Sequence, residues 1–281
     1  MATPLPKHPN LLGAYQPIQF ECDAPDLVIE GELPADLYGT FYRNGPNPQY
    51  APRGDYHWFA GDGMIHAFHI ENGRVAYKNR WVKTTKWELE HAAGRGLFSG
   101  MNPLDTDESV QGLATNGLAN TNIVWHGGKL LALEEAHAPF ELDPTSLESK
   151  GPWTFGNTLV GPMTAHPKMD PETGEMIFFG YSVDGMLSNK MSYHVVNRHG
   201  ELTTSAFFDA PYGAMVHDFI VTRDFVLFPI MPLTASLDRA MQGKPPFAWE
   251  PDKQNMIGIM PRSGSVEDIR WFEGDPSYVF H

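Results

Sequence analysis

Three histidines share one setting. His166 lies in Met163-Thr164-Ala165-His166-Pro167, His217 in Met215-Val216-His217-Asp218-Phe219, and His281 follows Ser277-Tyr278-Val279-Phe280. Each stands where an apolar stretch meets a strand boundary. Imidazole is a ligand for Fe, Cu, Ni and Zn alike, so three rings brought to one point would make a metal site without naming the metal. A lone histidine beside an apolar strand is ordinarily a hydrogen-bonded core or rim residue. The metal reading therefore rests on the common setting and not on any single ring. His57, His66 and His69 form a second cluster in His57-Trp58-Phe59-Ala60-Gly61-Asp62-Gly63-Met64-Ile65-His66-Ala67-Phe68-His69. Alternation places them on a strand–turn–strand, which makes them the second choice.

The elements that must carry these rings are short strands. Turn residues punctuate runs of strand character: Arg74–Val82 after Asn72-Gly73, Thr121–Trp125 and Lys129–Leu133 around Gly127-Gly128, and Glu175–Tyr181 after Asp170-Pro171-Glu172-Thr173-Gly174. Met191–Val196 and Glu201–Phe208 flank Asn197-Arg198-His199-Gly200, and Phe219–Arg223, Asp224–Ile230, Asn255–Pro261 and Asp268–Glu273 follow. Strands at a spacing of about 8–12 residues predict an all-β sandwich, barrel or propeller. The histidines recur 51 and 64 residues apart, a step that fits one four-stranded propeller blade with its loops. Equivalent positions of successive blades point at a common axis, which is how distant histidines would converge. Helix is sparse: Ala235–Gln242 reads as a turn or two, Leu142–Lys150 as a loop, and Met231–Trp249 as a long excursion between strands.

Composition bounds the function. The 281 residues carry a net charge of −14, from 20 basic and 34 acidic side chains. No basic stripe is present, so a nucleic-acid partner is not expected. The single cysteine, Cys22, excludes an internal disulfide framework and a Cys-rich zinc site. The absence of a signal-like or membrane-length apolar run points to a cytoplasmic protein in a reducing compartment.

Six collinear segments resemble the carotenoid/stilbene cleavage oxygenase family. They are Phe41-Tyr42-Arg43-Asn44-Gly45-Pro46-Asn47-Pro48, the stretch His57 to His66, Leu131-Ala132-Leu133-Glu134-Glu135, Thr164-Ala165-His166-Pro167, Val216-His217-Asp218-Phe219 and Tyr278-Val279-Phe280-His281. The resemblance implies a seven-bladed β-propeller, of which residues 1–281 form roughly the first four blades as one truncated domain. It implies Fe(2+) held by four histidines, three of them His166, His217 and His281, with the fourth ligand and two further carboxylates lying beyond this sequence. Glu135 matches a carboxylate that accepts a hydrogen bond from a ligand imidazole and so supports catalysis. The implied partners are a small apolar alkene and O2, which together give two carbonyl products.

Some positions depart from the family pattern. Stilbene-cleaving members grip a phenol with a tyrosine and a lysine, and those positions here are Met101 and Glu134. Phe59 is expected beside the substrate. The excursion 231–249 matches a variable region that forms a membrane-facing entrance in carotenoid-acting members. Asp238, Arg239 and Lys244 interrupt it here, which favours packing over membrane contact. The leading reading is an alkene-cleaving dioxygenase acting on an apocarotenoid or a stilbene or phenylpropanoid. The alternatives are an isomerase-type member and a non-catalytic propeller that binds a ligand or partner.

Overall fold

In a computed structural model of the protein, residues 4–99, 103–242 and 244–281 are described. Strands dominate and every sheet is antiparallel, as the short, turn-bounded runs require. The chain divides into two units with separate cores. The first comprises residues 1–125, 129–134 and 138–153; the second comprises 126–128, 135–137 and 154–281.

In the first unit, β1 (Cys22–Ala24), β2 (Gly39–Pro46), β3 (Gly63–Glu71) and β4 (Arg74–Trp81) form one sheet in the order β1-β4-β3-β2. Asn72 and Gly73 both take positive φ, at 52° and 72°. That conformation matches the twist of a two-residue hairpin and explains the Asn-Gly between β3 and β4. Helix α1 (Thr85–Ala93) follows, and then β5 (Asn122–His126), β6 (Lys129–Leu133), β7 (Phe140–Leu142) and β8 (Ser149–Pro152) form a meander in chain order. The core between them gathers Ile65, Ala67, Val82, Leu130, Ala132, Phe140, Leu142 and Leu147. Gly63 is required by packing: a Cβ there would lie 2.2 Å from the carbonyl oxygen of Ala119. This accounts for the second glycine of the Gly61-Asp62-Gly63 run.

Helix α1 was not foreseen from the sequence. Its signals are present, since Thr84 Oγ1 accepts from Trp87 N and Gly94 closes the helix at φ 67°. What hides it is its buried face. Lys86 and Glu90 read as solvent-facing charges, yet both are buried because they pair: Lys86 Nζ lies 2.7 Å from Asp62 Oδ1 and 2.7 Å from Glu90 Oε2. Glu90 Oε1 in turn accepts from the backbone N–H of Leu97 at 2.8 Å and of Phe98 at 3.0 Å. Burial disfavours the Lys86 cation, but the two carboxylates outweigh it and raise its pKa.

In the second unit, β9 (Lys168–Met169), β10 (Met176–Tyr181), β11 (Lys190–Val196) and β12 (Leu202–Asp209) form a sheet in the order β12-β11-β10-β9. Next come β13 (Ile220–Val221), β14 (Phe225–Ile230), β15 (Leu233–Ala235), α2 (Leu237–Met241), β16 (Phe247–Trp249), β17 (Asn255–Pro261) and β18 (Arg270–Gly274). The second sheet runs β13-β14-β17-β18, and β15–β16 is a hairpin inserted between β14 and β17. Phe179, Phe219 and Phe228 are buried in the shared core with Ile177, Tyr193 and Met260. Burying each phenylalanine contributes roughly 1.5–3 kcal/mol.

The foreseen excursion 231–249 contains β15, α2 and β16. Ser236 Oγ caps α2 by accepting from Arg239 N. Arg239 bonds to the carbonyl and hydroxyl of Thr234 and pairs with Glu250 at 3.2 Å. Most foreseen strands match to within two residues. Phe219–Arg223 shortens to Ile220–Val221, and Thr222 opens the turn to β14, its N–H bonding to Phe225 O at 2.8 Å. Among the described residues no closed barrel is formed, and no helix is long and apolar enough to cross a membrane.

Candidate metal centre

Two of the histidines enter at matching places. His166 lies two residues before β9 and His217 three residues before β13, and β9 and β13 are each the edge strand that opens its sheet. Local chemistry fixes both approaches. Met163, Thr164 and Ala165 are buried, Thr164 N bonds to Phe179 O at 2.8 Å, and Thr164 Oγ1 accepts from His166 N at 3.0 Å. Pro167 then disfavours helical backbone at His166. Val216 and Phe219 are buried on either side of His217, and Met215 N bonds to Leu233 O at 3.0 Å. The approach of His281 is held by paired bonds between Asn255 and Ser277, the stronger at 2.7 Å, and by Val279 N on Met231 Sδ.

The three rings meet. Their ligating atoms all lie within 4.8 Å of one another. Ring centroids are 4.6 Å apart for His166–His217, 4.6 Å for His166–His281 and 5.0 Å for His217–His281. The His57, His66 and His69 cluster does not form. His57 caps a 3-10 turn, His66 and His69 alternate to opposite faces of β3, and His66 Nδ1 pairs with Tyr77 Oη at 2.8 Å.

Carboxylates set the tautomers. His217 Nδ1 lies 2.8 Å from Glu135 Oε2, and His281 Nδ1 lies 2.9 Å from Asp218 Oδ2. An ionised carboxylate only accepts, so each Nδ1 carries the proton and each Nε2 keeps its lone pair. Glu135 is itself held, because Tyr181 Oη donates to its Oε1 at 2.8 Å. Asp218 takes Lys168 Nζ at 2.7 Å and Phe219 N at 2.8 Å on Oδ1. Burial, the largest influence, pushes the Asp218 carboxyl up, but the bonds from His281, Lys168 and Phe219 outweigh it and hold the group below its ordinary range. Burial first, and then the neighbouring His217, push His166 down to about 4, so its ring is neutral near pH 7.

This donor set fits a divalent transition metal. The Nε2 atoms of His166 and His217 are 3.0 Å apart. Two nitrogens bound at right angles to one metal at about 2.1 Å would be separated by about 3.0 Å. Neutral imidazoles with the far nitrogen on a carboxylate are the usual way a protein presents such ligands.

Residues 15–281 match the family described as retinal pigment epithelial membrane protein, RPE65. The chain belongs to that family. Among its relatives, the isoeugenol monooxygenase of Pseudomonas nitroreducens is 44% identical over 276 residues, covering 97% of this chain and 57% of that enzyme. The lignostilbene dioxygenase structure of Pseudomonas brassicacearum superposes with a TM-score of 0.91 at 39% identity, covering 98% of this chain and 58% of that one. A cobalt-substituted apocarotenoid oxygenase of Synechocystis superposes at 0.80 with 30% identity, covering 95% and 58%. The chain thus spans a little under three fifths of the length of the RPE65-family relatives it matches. Those relatives are oxygenases that include alkene-cleaving enzymes.

Phe59 and Glu134 belong to the first unit. Phe59 is 57% exposed, its carbonyl accepts from Asn120 Nδ2, and the His57 ring meets it edge-on at 4.4 Å. Glu134 accepts from Leu118 N at 3.2 Å. Met101 lies outside the described residues. Sequence reasoning missed Asp218, Lys168 and Tyr181. The first sits inside Val216-His217-Asp218-Phe219, where the neighbouring histidine drew the chemical reading.

Proposed function

We propose that this chain is the histidine-bearing part of a non-haem Fe(2+) dioxygenase. It would cleave the carbon–carbon double bond of a phenylpropanoid or stilbene, with an apocarotenoid as the less favoured substrate. The single observation that carries this reading is the convergence of His166, His217 and His281 with two carboxylates behind them. The isoeugenol and lignostilbene enzymes, at 44% and 39% identity against 30% for the apocarotenoid oxygenase, favour the phenylpropanoid side. Within this proposal the four four-stranded sheets are four blades of a seven-bladed propeller, and a fourth histidine comes from beyond this sequence.

His166, His217 and His281 would hold the iron. Bound there, Fe(2+) would supply a centre that activates O2. In the overall reaction the O–O bond and both bonds of the alkene break while two C=O bonds form, so no external reductant is needed. The chain's own residues contribute position and charge. Glu135 and Asp218 keep the Nδ1 protons on His217 and His281, so both Nε2 lone pairs stay available. They also bring negative charge toward a +2 ion whose neutral ligands cancel none of it. Glu135 is therefore assigned as the supporting carboxylate, with substrate contact assigned on resemblance to Phe59, Met101 and Glu134. Glu134 stands where a phenol-gripping lysine would, so a phenolate is not held there by a cation.

The test is direct. The protein is loaded anaerobically with Fe2+ and given isoeugenol, a hydroxystilbene or an apocarotenal under isotopically labelled O2. The expected result is about one iron per chain and label in both carbonyl products, with isoeugenol or the stilbene turned over fastest. Failure to retain iron, or products carrying no label, would overturn the proposal.

A further inference from the structure

We propose that the first unit carries a second binding site, for a small neutral aromatic molecule bearing a carbonyl oxygen. The site is a cavity of about 410 Å³ between the β1–β4 sheet and the turn that joins β7 to β8. That volume lies within the range of ordinary small-molecule pockets. The inference goes beyond the metal reading and does not depend on it, because no residue of the histidine centre lines the cavity.

Strand register builds the floor. Tyr42 on β2, Ala67 on β3 and Lys78 on β4 are cross-strand partners in one row, and Thr40, His69 and Ala76 form a second row. Neighbouring strands lie about 4.8 Å apart, so the backbones of Tyr42 and Lys78 stand about 10 Å apart with only a methyl group between them. Both long side chains reach the turn. Tyr42 Oη donates to Pro144 O at 2.7 Å, and Lys78 Nζ donates to Thr145 O at 3.1 Å. Asp143 shapes that turn in advance, because its Oδ1 accepts from Thr145 N and Ser146 N, each at 2.9 Å. Two posts thus hold a roof over the floor, and the small side chains of Ala67 and Ala76 leave the space between them open.

The lining selects the ligand. The Tyr42 ring, Pro25, Pro144 and the two alanines present flat apolar surfaces that suit a planar ring. Thr40 Oγ1 and His69 Nδ1 are engaged with each other at 2.9 Å. Lys78 supplies the polar contact. Its ammonium has three N–H groups. Among the described residues two of them are taken, by Thr145 O and by Asp23 Oδ1 at 3.3 Å, and the third is left to donate to a ligand carbonyl. The Lys78 charge is already met by Asp23. A carboxylate ligand would lose its hydration without gaining an unpaired cation, whereas a neutral carbonyl gains a hydrogen bond at small desolvation cost.

The experiment titrates para-anisaldehyde into the metal-free chain and follows isotopically labelled alanine methyl groups by NMR. Para-anisate and para-methylanisole serve as comparison ligands. The aldehyde is expected to bind saturably, with the largest shifts at the Ala67 and Ala76 methyls. Ala76→Leu fills the floor and is expected to abolish binding. Lys78→Met keeps the aliphatic stem and removes the donor. It is expected to weaken the aldehyde about tenfold, as loss of one hydrogen bond to a charged donor does. Para-methylanisole lacks the carbonyl and is expected to bind wild type and Lys78→Met alike. His217→Ala is expected to bind the aldehyde as wild type does.

Absence of a saturable shift at Ala67 and Ala76 overturns the inference. So does wild-type affinity for the aldehyde in Ala76→Leu or Lys78→Met, or an equal loss of both neutral ligands in Lys78→Met. Tighter binding of anisate than of anisaldehyde overturns the assignment to a neutral carbonyl. Loss of aldehyde binding in His217→Ala would place the ligand at the histidine centre and overturn the second site. If Ala76→Leu does not fold, the methyl shifts of wild type and Lys78→Met decide.

Discussion

The Nε2 atoms of His166 and His217 face each other at 3.0 Å, while Nδ1 of His217 is committed to Glu135. His217 therefore offers only a lone pair across the gap. A proton on His166 Nε2 or a cation must lie between the two nitrogens, since two bare lone pairs at that distance repel. A metal that binds the folded chain stabilises it by mass action, by about 2.7 kcal/mol when free metal is 100 times the dissociation constant. The thermal midpoint of the wild type should rise on adding Fe2+ or Co2+, and the midpoint of His217→Ala should not move. An equal rise in both proteins would place the metal elsewhere.

Glu135 reaches His217 with one oxygen and is fixed by Tyr181 through the other. Glu135→Gln keeps an acceptor for His217 Nδ1 but removes the charge, and should lower metal affinity by roughly ten- to a hundredfold. Tyr181→Phe leaves the carboxylate charged and removes only its anchor, so it should cost less than Glu135→Gln. Metal titrations of the two variants check the ranking. A larger loss in Tyr181→Phe would show that orientation, and not charge, dominates.

The sequence carried the hairpins β5–β6 and β11–β12 and the setting of the three histidines because both obey local rules, whereas β1, β2, β7 and β8 were not read from it. Asn72-Gly73 demands a tight hairpin, and the runs around it alternate or are apolar throughout. The histidines were legible by repetition, since each follows a run with apolar residues, which the core buries ahead of His166 and His217. What was not legible depends on contacts between residues far apart in the chain. Lys86 and Glu90 are charged and so read as surface, but a carboxylate 24 residues upstream, Asp62, makes their burial tolerable. Asp218 looks like an ordinary acid at a strand boundary, and its role appears only when Lys168 and His281 arrive from 50 and 63 residues away. No short-range pattern encodes either arrangement.

The Lys86 cluster makes its own prediction about stability. Lys86 separates two buried carboxylates, those of Asp62 and Glu90, whose side chains are 1% and 4% exposed. Lys86→Met preserves the aliphatic stem and leaves the two acids facing each other without a cation. Breaking a buried pair in this way costs about 3–5 kcal/mol. Urea unfolding of Lys86→Met near pH 7 should show that loss, and part of it should return at low pH as the stranded carboxylates take up protons. A loss under 1 kcal/mol would mean that water reaches the cluster.

His194 governs the last prediction. It sits on β11 opposite Phe178 and Ser205, with its ring stacked on Phe178 at 4.7 Å and edge-on to Phe207 at 6.1 Å. It is fully buried, and neither ring nitrogen has a hydrogen-bond partner among the described residues. Burial alone pushes its pKa from 6.5 down to about 4. The unfolded chain therefore binds a proton between pH 6.5 and 4 that the folded chain refuses. The stability tied to His194 is complete above pH 6.5 and is lost as pH falls toward 4, by at most about 3 kcal/mol. His166 shifts in the same direction, so some pH dependence persists without His194. His194→Leu removes the buried nitrogens without stranding a partner, and its stability should fall less steeply over this window. Chemical denaturation of both proteins at pH 7, 5.5 and 4 measures the difference, and parallel curves would show that His194 is hydrated in solution.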